Sequence, residues 1–342
     1  MASVSTSKAE ISYIQSGLLS NPPLRADGRA LHDFRTISLE TGVAPLANGS
    51  AHLNIGQNPH DGGGGTEVLA AAKLEVESVD GQGEGVDGGR IVCTVSCSPS
   101  AYPHLSAPAL DDLQHDMSTL LHQTLAHPSL HPANLGILAG KKSWLLNLDC
   151  VVLADAGNTY DALFMAARAA LWDCKVPRTR GVEYKAAVAP GAKVSESGEM
   201  DVDRDPGEQQ SGFDTRSISR AVDFELPDYW DEGEVLGGRD KWPVCVTLNV
   251  ASSKVHYLDA ILQEEAATPL RLLLVFSFPT AASPSLQAMR ILGSGELESG
   301  QIREFVADGE KYAQRLSDAL NGKLKEEDLR RGQKARDRFA RR

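Results

Sequence analysis

Four groups of residues in this chain have the types and spacing to do chemistry. The first is Gly62–Gly65, whose backbone freedom would suit a phosphate-cradling loop. That chemistry needs a Lys-Ser/Thr pair at the loop's end and a helix N-terminus behind it. Thr66-Glu67 follow instead and open a strand-like run, so the glycines read as a loose hairpin tip. The second group is His115, His122, His127 and His131. His127 and His131 each precede a proline, so this segment is not one helix presenting ligands at i and i+4, and solvated histidines are expected. The third is Cys93 and Cys97, which share one face of the run IVCTVSC. With no second Cys pair at zinc spacing, they read as small buried apolar groups. The fourth is the adjacent acids Asp111-Asp112, Glu264-Glu265 and Glu326-Glu327. Neighbours on a helix or strand point apart, so these read as dipole matches or solvated faces rather than catalytic dyads. No serine sits in a G-x-S-x-G elbow, and no cysteine has a His and carboxylate partner that the sequence singles out. Residue chemistry alone gives an α+β protein with no visible active site, metal site or cofactor.

Composition bounds the function classes. The chain has 342 residues, 42% hydrophobic and 23% charged, which suggests about two globular domains. Its net charge of −12 argues against a self-sufficient basic nucleic-acid binder. The charge is uneven: Lys323–Arg342 hold nine basic against four acidic residues, +5, which leaves −17 for the preceding 322. No apolar run approaches the roughly 18–20 residues of a membrane span. The polar N-terminus has no signal-peptide core, and five scattered cysteines read as reduced thiols in a cytosolic or nuclear protein.

The patterning predicts the elements that would position any site. A helix is expected over 8–19, with Ser7 and Glu10 as a capping box and Ile11, Ile14 and Leu18 as its stripe. Strand-like runs joined by glycine-rich turns follow up to Cys97 and suggest an antiparallel meander. A helix over about 109–126 carries Leu110, Leu113, Met117, Leu120 and Leu121. A long strand follows, with Trp144, Leu146, Leu148, Cys150 and Val152 on one face, and then a helix over about 160–173. Residues 189–220 have almost no large apolar groups and read as a dispensable, disordered insertion. Strands over about 242–250, 255–259 and 271–277 and a helix over about 299–320 complete the chain. The expected organisation is an N-terminal helix and lead-in (1–30), a first lobe (31–185), an acidic insertion (186–221), a second lobe (222–322) and a basic tail (323–342).

An ordered set of motifs resembles a known family. It comprises Arg25-Ala26-Asp27-Gly28-Arg29 with Phe34-Arg35, Asn48-Gly49-Ser50-Ala51 with Thr66-Glu67-Val68-Leu69, Trp144–Asp149, and Ala156-Gly157-Asn158-Thr159-Tyr160-Asp161-Ala162 leading to Lys175-Val176-Pro177-Arg178. Together these resemble the RNase PH-like proteins, and among them the RNA-exosome ring subunits of the eukaryotic ribosomal RNA-processing protein 42 type. The resemblance covers roughly residues 7–185 and 222–320. It implies an α+β fold of two similar mixed α/β lobes with largely antiparallel sheets. It also implies assembly with other RNase PH-like subunits into a hexameric ring, flanked by RNA-binding cap subunits and an associated ribonuclease, with RNA passing through. Residence in nucleus, nucleolus and cytoplasm is the matching expectation, with no membrane partner.

The same resemblance implies that the phosphorolytic chemistry is lost here. Active members hold phosphate in a G-G-T-R loop, where the planar fork of an arginine binds oxyanions. The corresponding stretch here is Gly157-Asn158-Thr159-Tyr160, with a tyrosine in the arginine's place. Active members carry an aspartate in a D-x-N-x-V strand. The matching Trp242–Val246 has none, and Asp240 lies outside the pattern. Their arginine-rich, RNA-gripping stretch corresponds to Leu105–Gln123, which has no Lys or Arg but has Asp111, Asp112 and Asp116. Lys141, Lys142, Arg178 and Arg180 are the remaining candidates to face RNA. The leading expectation is therefore a non-catalytic structural subunit without cofactor or metal. The alternatives are an active phosphate-dependent 3′→5′ exoribonuclease completed by a ring partner, and a scaffold unrelated to RNA.

Overall fold

The computed structural model describes residues 6–56, 64–79, 85–182, 185–187, 216–218, 223–228, 233–280 and 283–340. The first lobe is built on a sheet of β1 (Ile37–Thr41), β2 (Gly49–Ile55), β3 (Thr66–Ser78), β4 (Arg90–Cys97) and β6 (Lys142–Ala154), in the order β1-β2-β3-β6-β4, with β5 (Gly136–Leu138) paired to β6. β2 and β3 form the expected hairpin, with Ile55 opposite Thr66. Residues 57–63 of its tip and 80–84 of the next glycine-rich turn lie outside the described residues.

The antiparallel meander holds for β1, β2 and β3 and fails at β4, which pairs with β6 in parallel. The cause is α2 (Ala107–Leu125), which carries the chain back along the sheet before β6 begins, as a parallel pair requires. β4 thereby becomes a sheet edge, and α2 covers it. The amide of Cys97 donates to Gln114 Oε1, that of Val95 to Ser118 Oγ and that of Cys93 to His122 Nδ1. Four helical residues rise about 6 Å and two strand residues about 6.6 Å, so the helix side chains keep step with the strand amides.

The second lobe is a sheet in the order β14-β13-β15-β16, from β13 (Val244–Val250), β14 (His256–Tyr257), β15 (Arg271–Ser277) and β16 (Ser285–Leu292). α3 (Thr159–Asp173) lies between the two sheets, against β1, β2, β3 and β6 on one side and β13 on the other. All fifteen of its residues are buried, which is why its sequence is alanine-rich with no polar stripe. α5 (Ser299–Ala340) covers the outer face of the second sheet, where Gly309 lets it close on Leu274 and Leu248.

Pairing and packing run across several of the expected divisions. α1 (Lys8–Leu18) has the capping box between Ser7 and Glu10, but it packs on the second lobe, against α4 (Leu262–Ala267). Two short ribbons tie the lobes together: β7 (Lys175–Val176) pairs with β12 (Glu234–Val235), and β8 (Arg180–Val182) with β11 (Asp223–Glu225). At the ends of the expected insertion, β9 (Lys185–Ala187) pairs with β10 (Arg216–Ile218), so 186–187 and 216–218 are strand rather than disordered chain. The rest of that segment, 188–215 and 219–221, lies outside the described residues. The basic tail is no separate unit either. It continues α5, and Leu324 and Glu327 are buried. Beyond Leu320 the sequence is dominated by charge, which hid the few inward positions.

Candidate functional site

The strand-to-helix turn between β6 and α3 is the loop in which the family resemblance places phosphate. Gly157 and Asn158 both have left-handed backbone, with φ of 93° and 62°. Gly157 needs its missing side chain twice over, because a Cβ there would also collide with the carbonyl of Ala260. The turn leads into the N-terminus of α3, the end of a helix that favours an anion. Carboxylates of this same chain take the two amides of the turn just before the helix, those of Gly157 and Asn158. Asp155 Oδ1 accepts from Gly157 N and from Thr159 Oγ1, each at 2.8 Å. Glu265, from α4, accepts from Asn158 N through Oε1 at 2.8 Å. Its other oxygen pairs with Arg271 at 3.0 Å. Burial raises the Glu265 carboxyl above its ordinary value, against the opposing charge of Arg271 and the bond from Asn158.

Tyr160 does not mimic the arginine it stands for. Its hydroxyl donates to Asp116 Oδ2 at 3.0 Å, and Arg290 holds the other oxygen of Asp116 at 2.6 Å. Burial, and next the charge of Asp116, raise the tyrosine's pKa, so it stays a neutral donor. Around this cluster lies a cavity of about 490 Å³, whose lining includes Tyr102, Asp116, Asp155, Tyr160, Glu265 and Arg271.

The Arg25–Arg29 motif and Arg35 are structural clamps to the second lobe. Arg25 forks onto Glu264, with Nη2 to Oε2 at 2.6 Å and Nε to Oε1 at 3.0 Å, both side chains fully sequestered. Asp259 gathers Arg29, Arg35 and the side chain of Asn158. Arg35 also donates to the carbonyls of Ala156 and Gly157, so one arginine ties the second lobe to the turn before α3. The adjacent acids Glu264 and Glu265 are thus not a solvated face. Their side chains diverge as adjacency demands, but each finds its own arginine, Arg25 or Arg271.

The structure does not bring the other sequence candidates to this turn. Lys141 and Lys142 lie at the far end of β6, roughly 40 Å from Ala154 at strand rise. Lys142 pairs with Asp223, and Arg178 and Arg180 pair with Glu234 and Glu225 beyond the C-terminal end of α3. His122 serves the β4 edge, His127 Nδ1 accepts from Ser129 N, and His131 bonds the carbonyl of Gly89. Among the described residues no group of three or more His, Cys, Asp or Glu could hold a metal ion. The stretch Trp242–Val246 runs into β13, and the carboxylate facing that strand is Asp161 of α3. Asp161 accepts from Thr247 N and Thr247 Oγ1 and is completely buried. Burial pushes it up to about 7, against the Thr247 hydrogen bonds, but no face of it reaches solvent. Asp155, Asp259 and Glu265 are the site residues that sequence reasoning missed. All three act across a turn or between lobes, and only the motif arginines signalled that partners existed.

Residues 33–177 match the 3′ exoribonuclease family, domain 1, the RNase PH family. This chain contains an RNase PH domain. The domain spans the first sheet, α2 and α3 and ends where β7 begins the ribbons to the second lobe. A Dictyostelium discoideum protein named as an exosome complex exonuclease RRP42 is 27% identical over 313 residues, 78% of this chain and 82% of its own. The exosome complex component Rrp42 of Thermoplasma volcanium is 32% identical over 167 residues, 48% of this chain and 60% of its own length. The chain thus spans somewhat under two thirds of that archaeal relative. Beyond the RNase PH domain, the fold of the whole chain is similar to one from the Archaeoglobus fulgidus exosome solved with RNA bound to the active site. That similarity has a TM-score of 0.62, with 20% identity over 91% of this chain and 98% of the other. The RNase PH-like fold therefore extends through both lobes.

Proposed function

We propose that this chain is a non-catalytic ring subunit of an RNA exosome. It scaffolds the ring and its RNA channel, in nucleus, nucleolus and cytoplasm, while other subunits carry out 3′→5′ processing. One observation carries this reading: the two amides of the turn just before α3, those of Gly157 and Asn158, are taken by Asp155 and Glu265 of the same chain. A phosphate arriving there would have to displace two carboxylates and would meet Tyr160 where an arginine's bidentate fork is needed.

The test is phosphate-dependent release of nucleoside diphosphates from RNA by the purified full chain, and then by a reconstituted ring. The expected result is no release from the chain alone. A release that mutations at Gly157 abolish would overturn the proposal. The name of the Dictyostelium relative, an exonuclease, favours a second reading, in which a neighbour in the ring completes the site. A ring whose other phosphorolytic sites are inactivated separates the two. Residual phosphorolysis there supports the second reading, and its absence supports the first.

A further inference from the structure

We infer that the groove between the C-terminal half of α2 and the start of β4 takes an extended, acidic peptide segment of another protein chain, added as a strand to the edge of β4 at Ile91. The inference goes beyond the scaffold reading, because it assigns a partner-binding edge in which phosphate chemistry plays no part.

The backbone comes first. Even-numbered residues of β4 turn their N–H and C=O toward β6, and the ladder runs on to Ser98 N, which donates to Val152 O. Odd-numbered residues turn theirs to the other side, where α2 stands in for a neighbouring strand. Gln114, Ser118 and His122 accept from the amides of Cys97, Val95 and Cys93 at 2.9, 2.8 and 3.4 Å. The next step of four along α2 is Ala126, which closes the helix and has no polar side chain. The next outward amide, that of Ile91, therefore meets no acceptor among the described residues. The carbonyl of Ile91 points the same way and meets no donor among them. Beyond the gap His131 takes over, on the carbonyl of Gly89.

A groove of about 750 Å³ opens at this gap. Arg90, Ile91, Val92 and Cys93 all border it, although alternate residues of a strand point to opposite faces of the sheet. What four such residues share along one groove is the outer edge of their backbone. The Ile91 side chain lies in the core, so its contribution to the wall is main chain. An open strand edge is a template for another strand, which offers a donor and an acceptor together at each paired residue.

The other wall sets the side-chain chemistry. His115, Thr119 and His122 stand at i, i+4 and i+7 on one face of α2, and all three line the groove. An imidazole keeps at least one N–H in any protonation state. His122 has committed Nδ1 to the Cys93 amide, so its N–H is on Nε2. Asp87, the carboxylate of the lining, is already bound by Gly140 N. The wall is thus rich in donors, which suits a carboxylate on the incoming strand. Leu125, Pro128 and the half-exposed Val86 supply apolar contact for the residues that alternate with it.

The experiment titrates the full chain with acetyl-Glu-Val-Glu-Val-Glu-amide and, as the control of opposite charge, acetyl-Lys-Val-Lys-Val-Lys-amide. It follows heat of binding and residue-resolved amide hydrogen exchange. In the free chain the Ile91 amide should exchange faster than those of Cys93 and Val95. Saturation with the acidic peptide should slow it by roughly tenfold, the worth of one backbone hydrogen bond. Ala126→Gln repeats Gln114 at the next step and supplies the missing acceptor. It should slow Ile91 exchange with no peptide present and weaken peptide binding by roughly tenfold, without lowering the melting temperature. His115→Ala should weaken the acidic peptide several-fold and leave Ile91 exchange in the free chain unchanged. No binding of the acidic peptide, binding that leaves Ile91 exchange unchanged, equal binding of the basic peptide, or binding that both variants leave intact overturns the inference. None of these results touches the scaffold reading, which stands or falls on phosphorolysis.

Discussion

Arg35 grips Asp259 from three directions. Its backbone N–H and its Nε reach Oδ2 at 2.7 and 2.9 Å, and its Nη2 reaches Oδ1 at 2.7 Å. Asp259 is completely buried in the second lobe and Arg35 stands at the entry to β1 in the first, so this pair sets how the lobes meet. Removing one partner of a buried pair leaves the other charge uncompensated, which costs about 3–5 kcal/mol. Arg35→Met should therefore lower the unfolding free energy by that order in urea, and Arg35→Met with Asp259→Asn should recover part of it. Burial pushes the Asp259 carboxyl up, but the hydrogen bonds and charge of Arg35, helped by Arg29, outweigh it and hold the pKa below the ordinary 3.8. A depressed carboxylate stabilises the fold above its unfolded value and loses that contribution as pH falls through the folded one. Acid unfolding of the native chain should thus lie lower in pH than that of Arg35→Met. Coincident acid midpoints would show that the pair contributes nothing.

Asp161 gives the opposite sign. Its carboxyl is raised from 3.8 to about 7, chiefly by burial against β13. Between those values the folded state holds a proton that the unfolded state has released, so its contribution falls as pH rises from about 4 to 7 and is level above. The slope in that window is about 1.4 kcal/mol per pH unit. Asp161→Asn keeps an acceptor for Thr247 N–H and removes the titration. Its melting temperature should equal the native one near pH 4 and exceed it increasingly up to pH 7. Parallel curves for the two proteins over pH 4–8 would rule out Asp161 as the titrating group.

The five cysteines make a simpler case, because all are buried and free. Burial, with the charge of Asp155 adding, pushes the Cys97 thiol up to about 12. Burial near Asp173 takes Cys174 to a similar value. Cys93, Cys150 and Cys245 are raised as well, again first by burial. The thiolate is the reactive form, so Ellman's reagent at pH 8 should label the native chain only as fast as it opens. All five should react at once in guanidinium chloride. A single fast thiol in the native protein would mean that its segment is open in solution.

How far the sequence foretold this molecule depended on how local each cause was. The capping box of Ser7 and Glu10 and the alternation of Trp144 through Val152 depend on neighbours within a few residues, and both appear as expected. The partner of β4 is decided by where α2 returns the chain, which no run of side chains around Cys93 records. β16 escaped sequence reasoning because its exposed Leu286, Met289 and Ile291 interrupt any clean alternation at a bulge opposite Val275 and Phe276. At the candidate site the loop Gly157–Tyr160 was legible as a motif. Its occupation by Glu265 was not, because that residue arrives from 107 positions away.

The end of α5 offers the sharpest separation of packing from electrostatics. As far as Arg331 the basic segment is bound into the fold. Leu324 is in the core, Trp172 Nε1 donates to Asp328 at 3.0 Å, and Arg331 pairs with Asp173 at the C-terminal end of α3. Glu327 draws in Lys323 and Arg330. Truncation after Gly322 removes a buried leucine and strips Asp173 of its cation, which together should cost about 2–5 kcal/mol. Truncation after Gly332 spares every one of these interactions and should leave urea unfolding unchanged. It nevertheless deletes Lys334, Arg336, Arg338, Arg341 and Arg342, with Asp337 the only acid among them. If that basic end touches RNA in a ring containing this chain, its removal should flatten the dependence of log affinity on log salt. Each phosphate that the shortened chain no longer neutralises accounts for roughly 0.7 of the slope on single strands, because released counterions drive such binding. The difference between the two rings should shrink as salt rises. An unchanged slope with the shorter truncation would place RNA elsewhere and leave the first part of the segment, from Lys323 to Arg331, with a purely structural role against α3.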